Sequence, residues 1–208
     1  MLKPKVAIVY LSYHSEPYID DVVASLKNIS YPKDRLAFVV VDNPHLIHGL
    51  SMPHLQDYVL PLSNNELPEV ILLPQKENLG FAGGNNVGIQ WALDNGFDYI
   101  LFHNNDGMFA TGAIEPLVEA MENDKTIGIA QSLILLYPET DLINSSGNAY
   151  HYLGMAYCAN LRVPKDKIKI ISGSEIGYAM GAAVMMRADL LRQYGLWDAD
   201  YFMYHEDL

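Results

Sequence analysis

Four apolar runs of strand length mark the first half of the chain, and each stops abruptly at polar residues. Lys5 to Leu11 reads Lys-Val-Ala-Ile-Val-Tyr-Leu, Leu36 to Val41 reads Leu-Ala-Phe-Val-Val-Val, Val70 to Leu73 reads Val-Ile-Leu-Leu, and Tyr99 to Phe102 reads Tyr-Ile-Leu-Phe. Continuous rather than alternating apolar character is what a strand covered on both faces requires, so these runs predict buried strands of a mostly parallel sheet. Between them the period changes. Ile19, Val22, Val23 and Leu26 share one helical face after Ser12-Tyr13-His14-Ser15-Glu16-Pro17. Val87, Ile89, Trp91, Ala92 and Leu93 give a second helix that stops at Asn95-Gly96, and Gly112 to Asn123 gives a third. Strands alternating with helices predict an α/β fold with right-handed crossovers, its mostly parallel, mixed sheet flanked by helices.

The remaining segments are less regular. Pro44 to Pro68 contains four prolines and predicts a long loop with one short helix. Ile127 to Leu136 is strand-like, Asn144-Ser145-Ser146-Gly147-Asn148 has turn chemistry, and the stretch to Lys169 has no clear period. An apolar segment rich in small residues, Ile176 to Met186, precedes a helix from about Ala188 to Tyr194.

Composition narrows the functional classes. With 208 residues, half of them hydrophobic and 18% charged, one ordinary globular domain over 1–208 is expected. The net charge of −12 and the lack of a Lys/Arg cluster exclude a nucleic-acid partner, which needs a basic stripe. A phosphorylated ligand would instead be met by a divalent cation, a helix N-terminus or a few placed basic side chains. The lone Cys158 has no intrachain disulfide partner, and Met1-Leu2-Lys3-Pro4 runs directly into a strand, so the default setting is cytoplasmic. No apolar run approaches the roughly 18 to 20 residues that cross a bilayer, which leaves peripheral membrane association open. The abrupt end at Asp207-Leu208 is expected of a piece of a longer protein.

The chemistry concentrates at strand ends. A carboxylate at the C-terminal tip of a strand lies where open α/β sheets bind ligands, and two such tips end in Asp42-Asn43 and Asn104-Asn105-Asp106-Gly107. Asn-Asp-Gly is also ordinary turn chemistry, but an anionic oxygen there suits Mg²⁺ or Mn²⁺. Late in the chain Glu206-Asp207 follows Trp197, Tyr201, Phe202, Met203 and Tyr204, apolar bulk that raises a carboxylate's proton affinity and suits a general base. Residues 80–88, Gly-Phe-Ala-Gly-Gly-Asn-Asn-Val-Gly, have the wrong spacing for a dinucleotide fingerprint and follow the third strand rather than the first. Two readings stay open for them: a helix N-terminus beside a phosphate or sugar, or glycines that let a helix approach the sheet. The seven histidines show no pair at i, i+4 ligand spacing, so no zinc site is predicted, and Cys158 has no histidine nearby in sequence to activate it.

Six motifs in order resemble glycosyltransferase family 2, particularly its rhamnosyltransferase-like branch. They are Val6 to His14, Val40-Val41-Asp42-Asn43, Glu77 to Ile89 with its Asn-Leu-Gly-Phe-Ala-Gly-Gly-Asn-Asn run, His103-Asn104-Asn105-Asp106, Gly181-Ala182-Ala183, and Tyr201 to Asp207. The resemblance implies a GT-A fold with a nucleotide-binding half over about 1–110 and an acceptor and catalytic half over about 111–208. It also implies a nucleotide-diphosphate-sugar donor, dTDP- or UDP-linked, a glycan or lipid-linked acceptor, and an inverting single displacement at the inner face of the cell membrane. By the same resemblance Asp42 contacts the nucleotide base, Asp106 is the last Asp of the metal-binding Asp-x-Asp motif, and Asp207 is the catalytic base. Tyr10, Ser12 and Tyr13 line the nucleotide pocket. Asn78, Gly80, Gly83 and Asn86 border the donor, Gly181 and Ala182 lie near sugar and acceptor, and Asn105 and Glu206 complete the substrate contacts. Two positions depart from the pattern: Asn104 replaces the first Asp of the metal motif, and His14 stands where Asn is common. A sugar-phosphate nucleotidyltransferase remains a rival, although Leu11 to Pro17 lacks the glycine and basic residues its phosphate loop needs. A non-catalytic nucleotide-sugar-binding module is the other.

Overall fold

The strands form where the apolar runs predict them: β1 (Val6–Ser12), β2 (Leu36–Asp42), β3 (Glu69–Pro74) and β4 (Tyr99–His103). The structure is a computed structural model that describes residues 2–153 and 155–204. Six shorter strands follow: β5 (Ile129–Gln131), β6 (Ile134–Leu135), β7 (Ile143–Ser145), β8 (Asn148–Tyr150), β9 (Ala156–Cys158) and β10 (Val184–Arg187). The helices are α1 (Ile19–Lys27), a short α2 (Met52–His54), α3 (Gly80–Asp94), α4 (Glu115–Asn123) and α5 (Ala188–Tyr194).

A six-stranded sheet in the order β3-β2-β1-β4-β10-β5 organises the molecule. β1 pairs in parallel with β2 and β4, and β2 with β3, whereas β10 runs antiparallel to both β4 and β5. Pairing puts Ser12 opposite Asp42, Asp42 opposite Pro74 and Tyr10 opposite His103, so the strands end together along one edge. Every residue of β1, β2 and β4 is buried, because alternate side chains feed two cores. Val6, Ile8, Tyr10, Phe38 and Val40 pack against α1 and α4 on one face. Ala7, Val9, Val39, Ile100 and Phe102 pack against α3 and α5 on the other.

Residues 80–88 lie inside α3 rather than ahead of it. A Cβ at Gly88 would fall 2.5 Å from Val9 Cγ1, and one at Gly84 would fall 2.4 Å from Leu11 Cδ1. These two glycines therefore bring α3 against β1, which is the close-approach reading. Two other expectations change. The strand expected over Ile127 to Leu136 is two strands in different sheets, since the Ser132 amide turns to the Ala183 carbonyl while β6 pairs with β7. The Pro44 to Pro68 loop contains α2 followed by helical turns Leu55–Val59 and Leu60–Leu62, and it delivers Met52, Leu55, Val59 and Leu67 to the core.

Candidate functional site at the strand tips

The C-terminal edge of the sheet gathers polar side chains that the core-facing positions cannot accept. Ser12 ends β1, and its hydroxyl donates to Asp42 Oδ1 across the strand pair at 2.7 Å while its Oγ lies 3.0 Å from Ser15 Oγ. Both residues are wholly covered. Burial pushes the Asp42 carboxyl up to about 6, against the opposing pull of the Ser12 hydroxyl and the Ser51 and Met52 amides. No donor meets Asp42 Oδ2 with hydrogen-bond geometry among the described residues. Next to Asp42, the Asn43 side chain bridges to the start of α3, donating to the Gly80 carbonyl at 3.1 Å.

The turn after β4 is fixed from β1. Tyr10, fully buried, donates its hydroxyl to the Asn105 carbonyl at 3.0 Å, and Asn105 Nδ2 donates to the Tyr13 carbonyl at 3.2 Å. The Gly107 amide closes the turn on the Asn104 carbonyl at 3.2 Å. Asp106 is thus held at an exposed turn position next to Tyr10, while Asn104 Oδ1 is buried with no hydrogen-bond partner among the described residues. His103, which ends β4, is held neutral by burial, its pKa pushed down to about 3, and stacks on Phe109 at 4.1 Å.

Beside Ser12 and Asp42 the structure assembles a group of rings whose positions along the chain show no common spacing. His14 and His48 stack at 4.0 Å, His45 lies 4.8 Å from His48, and Tyr13 lies 4.8 Å from His45. Burial pushes the His45 pKa down, with the neighbouring His48 and His14 adding to the shift. Among the described residues no group of three or more His, Cys, Asp or Glu side chains is arranged to hold a metal ion.

The start of α3 meets this edge as well, but its amides face protein. Asn78, exposed, accepts from the Gly80 amide through Oδ1 at 2.9 Å. The Phe81 and Ala82 amides donate to the Phe202 carbonyl at 2.6 and 3.3 Å. Gly80 adopts φ +70°, and a Cβ there would lie 2.4 Å from that carbonyl. A Cβ at Gly83 would lie 3.2 Å from Leu79 Cβ. Asn86 is bound at both ends of its amide by the main chain of Trp197, at 2.7 and 3.0 Å. Gly181 is buried against Phe81 and Trp197, with Ala182 half-buried beside it. Glu206 and Asp207 lie outside the described residues.

Comparison with known proteins gives this edge a chemical context. The family model "Glycosyl transferase family 2" matches residues 7–195, nearly the whole chain. The chain belongs to glycosyl transferase family 2. Within the family it is similar to the N-acetylglucosaminyl-diphospho-decaprenol L-rhamnosyltransferase of Mycobacterium tuberculosis, at 26% identity over 97% of this chain and 67% of that protein. Two solved structures share the GT-A fold. The mannosyltransferase PcManGT from Pyrobaculum calidifontis, in complex with GDP-Man and Mn²⁺, superposes with a TM-score of 0.60 at 15% identity over 96% of this chain. S. aureus TarS 1–349 in complex with UDP gives 0.62 at 16% identity over 97%. The chain spans about half of each of those two, 49% and 52% of their lengths. No helix among the described residues of this family 2 glycosyltransferase is long and apolar enough to cross a membrane.

Proposed function

We propose that this chain transfers a sugar from a dTDP- or UDP-linked donor to a hydroxyl of a glycan or lipid-linked acceptor, with inversion at the anomeric carbon. The observation that carries the reading is the convergence of three segments on one sheet edge: the Ser12–Asp42 pair, the Asn104–Asp106 turn, and the aromatic stretch that leads to Glu206-Asp207. Similarity to a rhamnosyltransferase whose name specifies a diphospho-decaprenol acceptor supports the lipid-linked choice, and with it work at the inner face of the cell membrane.

Each residue has a role in this reading. The Tyr13, His14, His45 and His48 rings give the nucleotide base a surface to stack on. Asp42, whose Oδ2 has no hydrogen-bond partner of good geometry among the described residues, accepts from a base N–H in this reading. Asn105 and Tyr10 hold the β4 turn. The acceptor oxygen forms its bond to the anomeric carbon as the carbon–oxygen bond to the diphosphate breaks. The bonding pair leaves with the nucleotide diphosphate, and the acceptor proton passes to the Asp207 carboxylate, with Glu206 beside it in sequence.

Hard oxygen donors suit Mg²⁺ or Mn²⁺, and the exposed Asp106 carboxylate together with the unpartnered Asn104 Oδ1 fits that preference. PcManGT carries Mn²⁺ in its complex. A divalent cation held there would offset charge growing on the departing diphosphate.

The test is transfer to an N-acetylglucosaminyl-diphospho-polyprenol acceptor from dTDP-L-rhamnose and from UDP-linked sugars, with and without Mn²⁺. Asp207→Asn should lower kcat by about 10² to 10⁴ without unfolding the protein. Asp106→Ala should abolish the response to Mn²⁺. Normal turnover by a folded Asp207→Asn protein refutes the base, and no transfer from any of these donors refutes the substrate class.

A further inference from the structure

We propose that Asn86 and Gly80 are positioning residues: together with Trp197 they form a clasp that holds the chain leading to Asp207 against strand β4, which runs on into the turn carrying Asp106. The inference rests on the reading of Asp207 as base and gives the glycine- and asparagine-rich start of α3 a task other than contact with the donor.

Three observations carry it. First, the N-terminus of α3 is not open to a phosphate, because the Phe202 carbonyl already accepts from the Phe81 and Ala82 amides and Asn78 accepts from Gly80. Phe202 itself sits at φ +55°, a conformation that an aromatic residue adopts rarely and that must be imposed by its surroundings. Gly80 is needed because any side chain would occupy the position of the Phe202 carbonyl. Second, Asn86 treats Trp197 as a neighbouring strand would: Nδ2 donates to the Trp197 carbonyl and Oδ1 accepts from the Trp197 amide. Both hydrogen-bonding ends of this side chain are thereby engaged by protein, which leaves it poorly placed to recognise donor.

Third, the clasp couples the segments whose ends carry the carboxylates. The Trp197 ring lies between Phe102 of β4 at 4.4 Å and Phe81 of α3 at 5.6 Å, over the floor made by Gly181. Phe102 begins the run that reaches Asp106 four residues later, and Tyr204 precedes Asp207 by three residues, at most about 10 Å of chain. A hinge anywhere in the Trp197–Phe202 stretch would let the base move relative to the sugar, and misplacement by about an ångström costs rate steeply while leaving the nucleotide contacts alone.

The experiment uses the full-length protein with dTDP-L-rhamnose and the polyprenyl-linked acceptor, alongside calorimetry with UDP and with dTDP. Asn86→Ala should lower kcat 10- to 100-fold while the donor KM and nucleotide affinity stay within about threefold of wild type. Asn86→Asp keeps the acceptor for the Trp197 amide and should recover part of the lost kcat. Gly80→Ala should reproduce the Asn86→Ala signature. If Asn86→Ala does not fold, Asn86→Asp carries the same comparison. Unchanged kcat, or a loss confined to nucleotide affinity, overturns the clasp. Asp207→Asn measured in parallel separates the two readings. A dead Asp207→Asn beside a fully active Asn86→Ala removes the clasp alone, whereas an active Asp207→Asn removes the base on which it rests.

Discussion

The two ends of the central strands are finished in opposite ways. At the N-terminal end a network of polar groups is paired: Arg187 donates to the Ile127 carbonyl at 2.7 Å, to the Tyr99 hydroxyl at 3.0 Å and to the Met121 carbonyl. Tyr99 in turn donates to Glu122 at 2.5 Å, and the Lys5 amide donates to Asp98 at 2.7 Å. At the C-terminal end Asp42 Oδ2 and Asn104 Oδ1 are buried with no partner of hydrogen-bond geometry among the described residues, and His103 is held neutral inside the protein. An unmet buried acceptor costs roughly 1–3 kcal/mol, so a fold keeps one where something other than the fold makes use of it. The contrast separates groups that hold the sheet together from groups that the described fold leaves unpaired, which is where the proposed function places the ligand.

The largest effect should come from breaking the finished end. Arg187→Ala removes the donors of the Ile127 and Met121 carbonyls and the partner of Tyr99, and should lower unfolding free energy by about 3 kcal/mol in urea titrations. Turnover per folded molecule should be unchanged, because none of these groups reaches the other edge. A drop in kcat without loss of stability would mean that the two ends are not independent.

The opposite outcome is expected at Asp42. Its carboxyl titrates near 6 when folded and at the lower, ordinary carboxylate value when unfolded, so between these values the folded state binds more protons and stability falls as pH rises. Above pH 7 the buried charge therefore costs the full difference, about 3 kcal/mol. Asp42→Asn retains a link to Ser12 without that charge, and should raise stability by about this amount at pH 7.5 and by nothing near pH 3.5. The same variant should bind UDP and dTDP more weakly, since an amide cannot accept from the base as a carboxylate does. Equal stability gains at both pH values would show that burial of the charge is not the cause.

This division was only partly legible in the sequence. The continuous apolar runs of β1, β2 and β4 specify strands buried on both faces, and a parallel sheet then obliges Asp42 and the Asn104–Asp106 turn to share an edge. β10 and β5 were not legible as strands of the same sheet, because four and three residues are too few to show a period. The core positions Met52, Leu55 and Val59 have helical spacing, but Pro44, Pro53, Pro61 and Pro68 mask it. The glycines of α3 had two readings on composition alone. Gly84 and Gly88 differ from Gly80 in what stands opposite, Leu11 and Val9 in one case and Phe202 in the other, and in the left-handed φ that Gly80 alone of the three adopts. The Asn86–Trp197 pair joins a side chain to main chain across 111 positions, and hydrogen bonds to main chain leave no trace in residue type. The histidine cluster was missed for a similar reason, since His14 reaches His45 and His48 from another loop and not by i, i+4 spacing.

The smallest expected change sharpens the comparison most directly. Asn104→Asp restores a second carboxylate to the metal motif, two residues from Asp106. Without a cation the added charge is repelled by Asp106 and partly buried at the Asn104 position, and stability should fall. With Mn²⁺ the sign should reverse, because a second anionic oxygen tightens the site, and a tenfold gain in affinity stabilises the folded state by about 1.4 kcal/mol at saturating metal. Thermal unfolding of both proteins across a Mn²⁺ series reads this directly. If the two curves respond identically to Mn²⁺, the unpartnered oxygen of Asn104 does not face the cation, and its burial has a cause within the fold. If the variant alone gains, that acceptor belongs with Asp106 among the groups kept free for a ligand, and the contrast with the Arg187 end extends to a single atom.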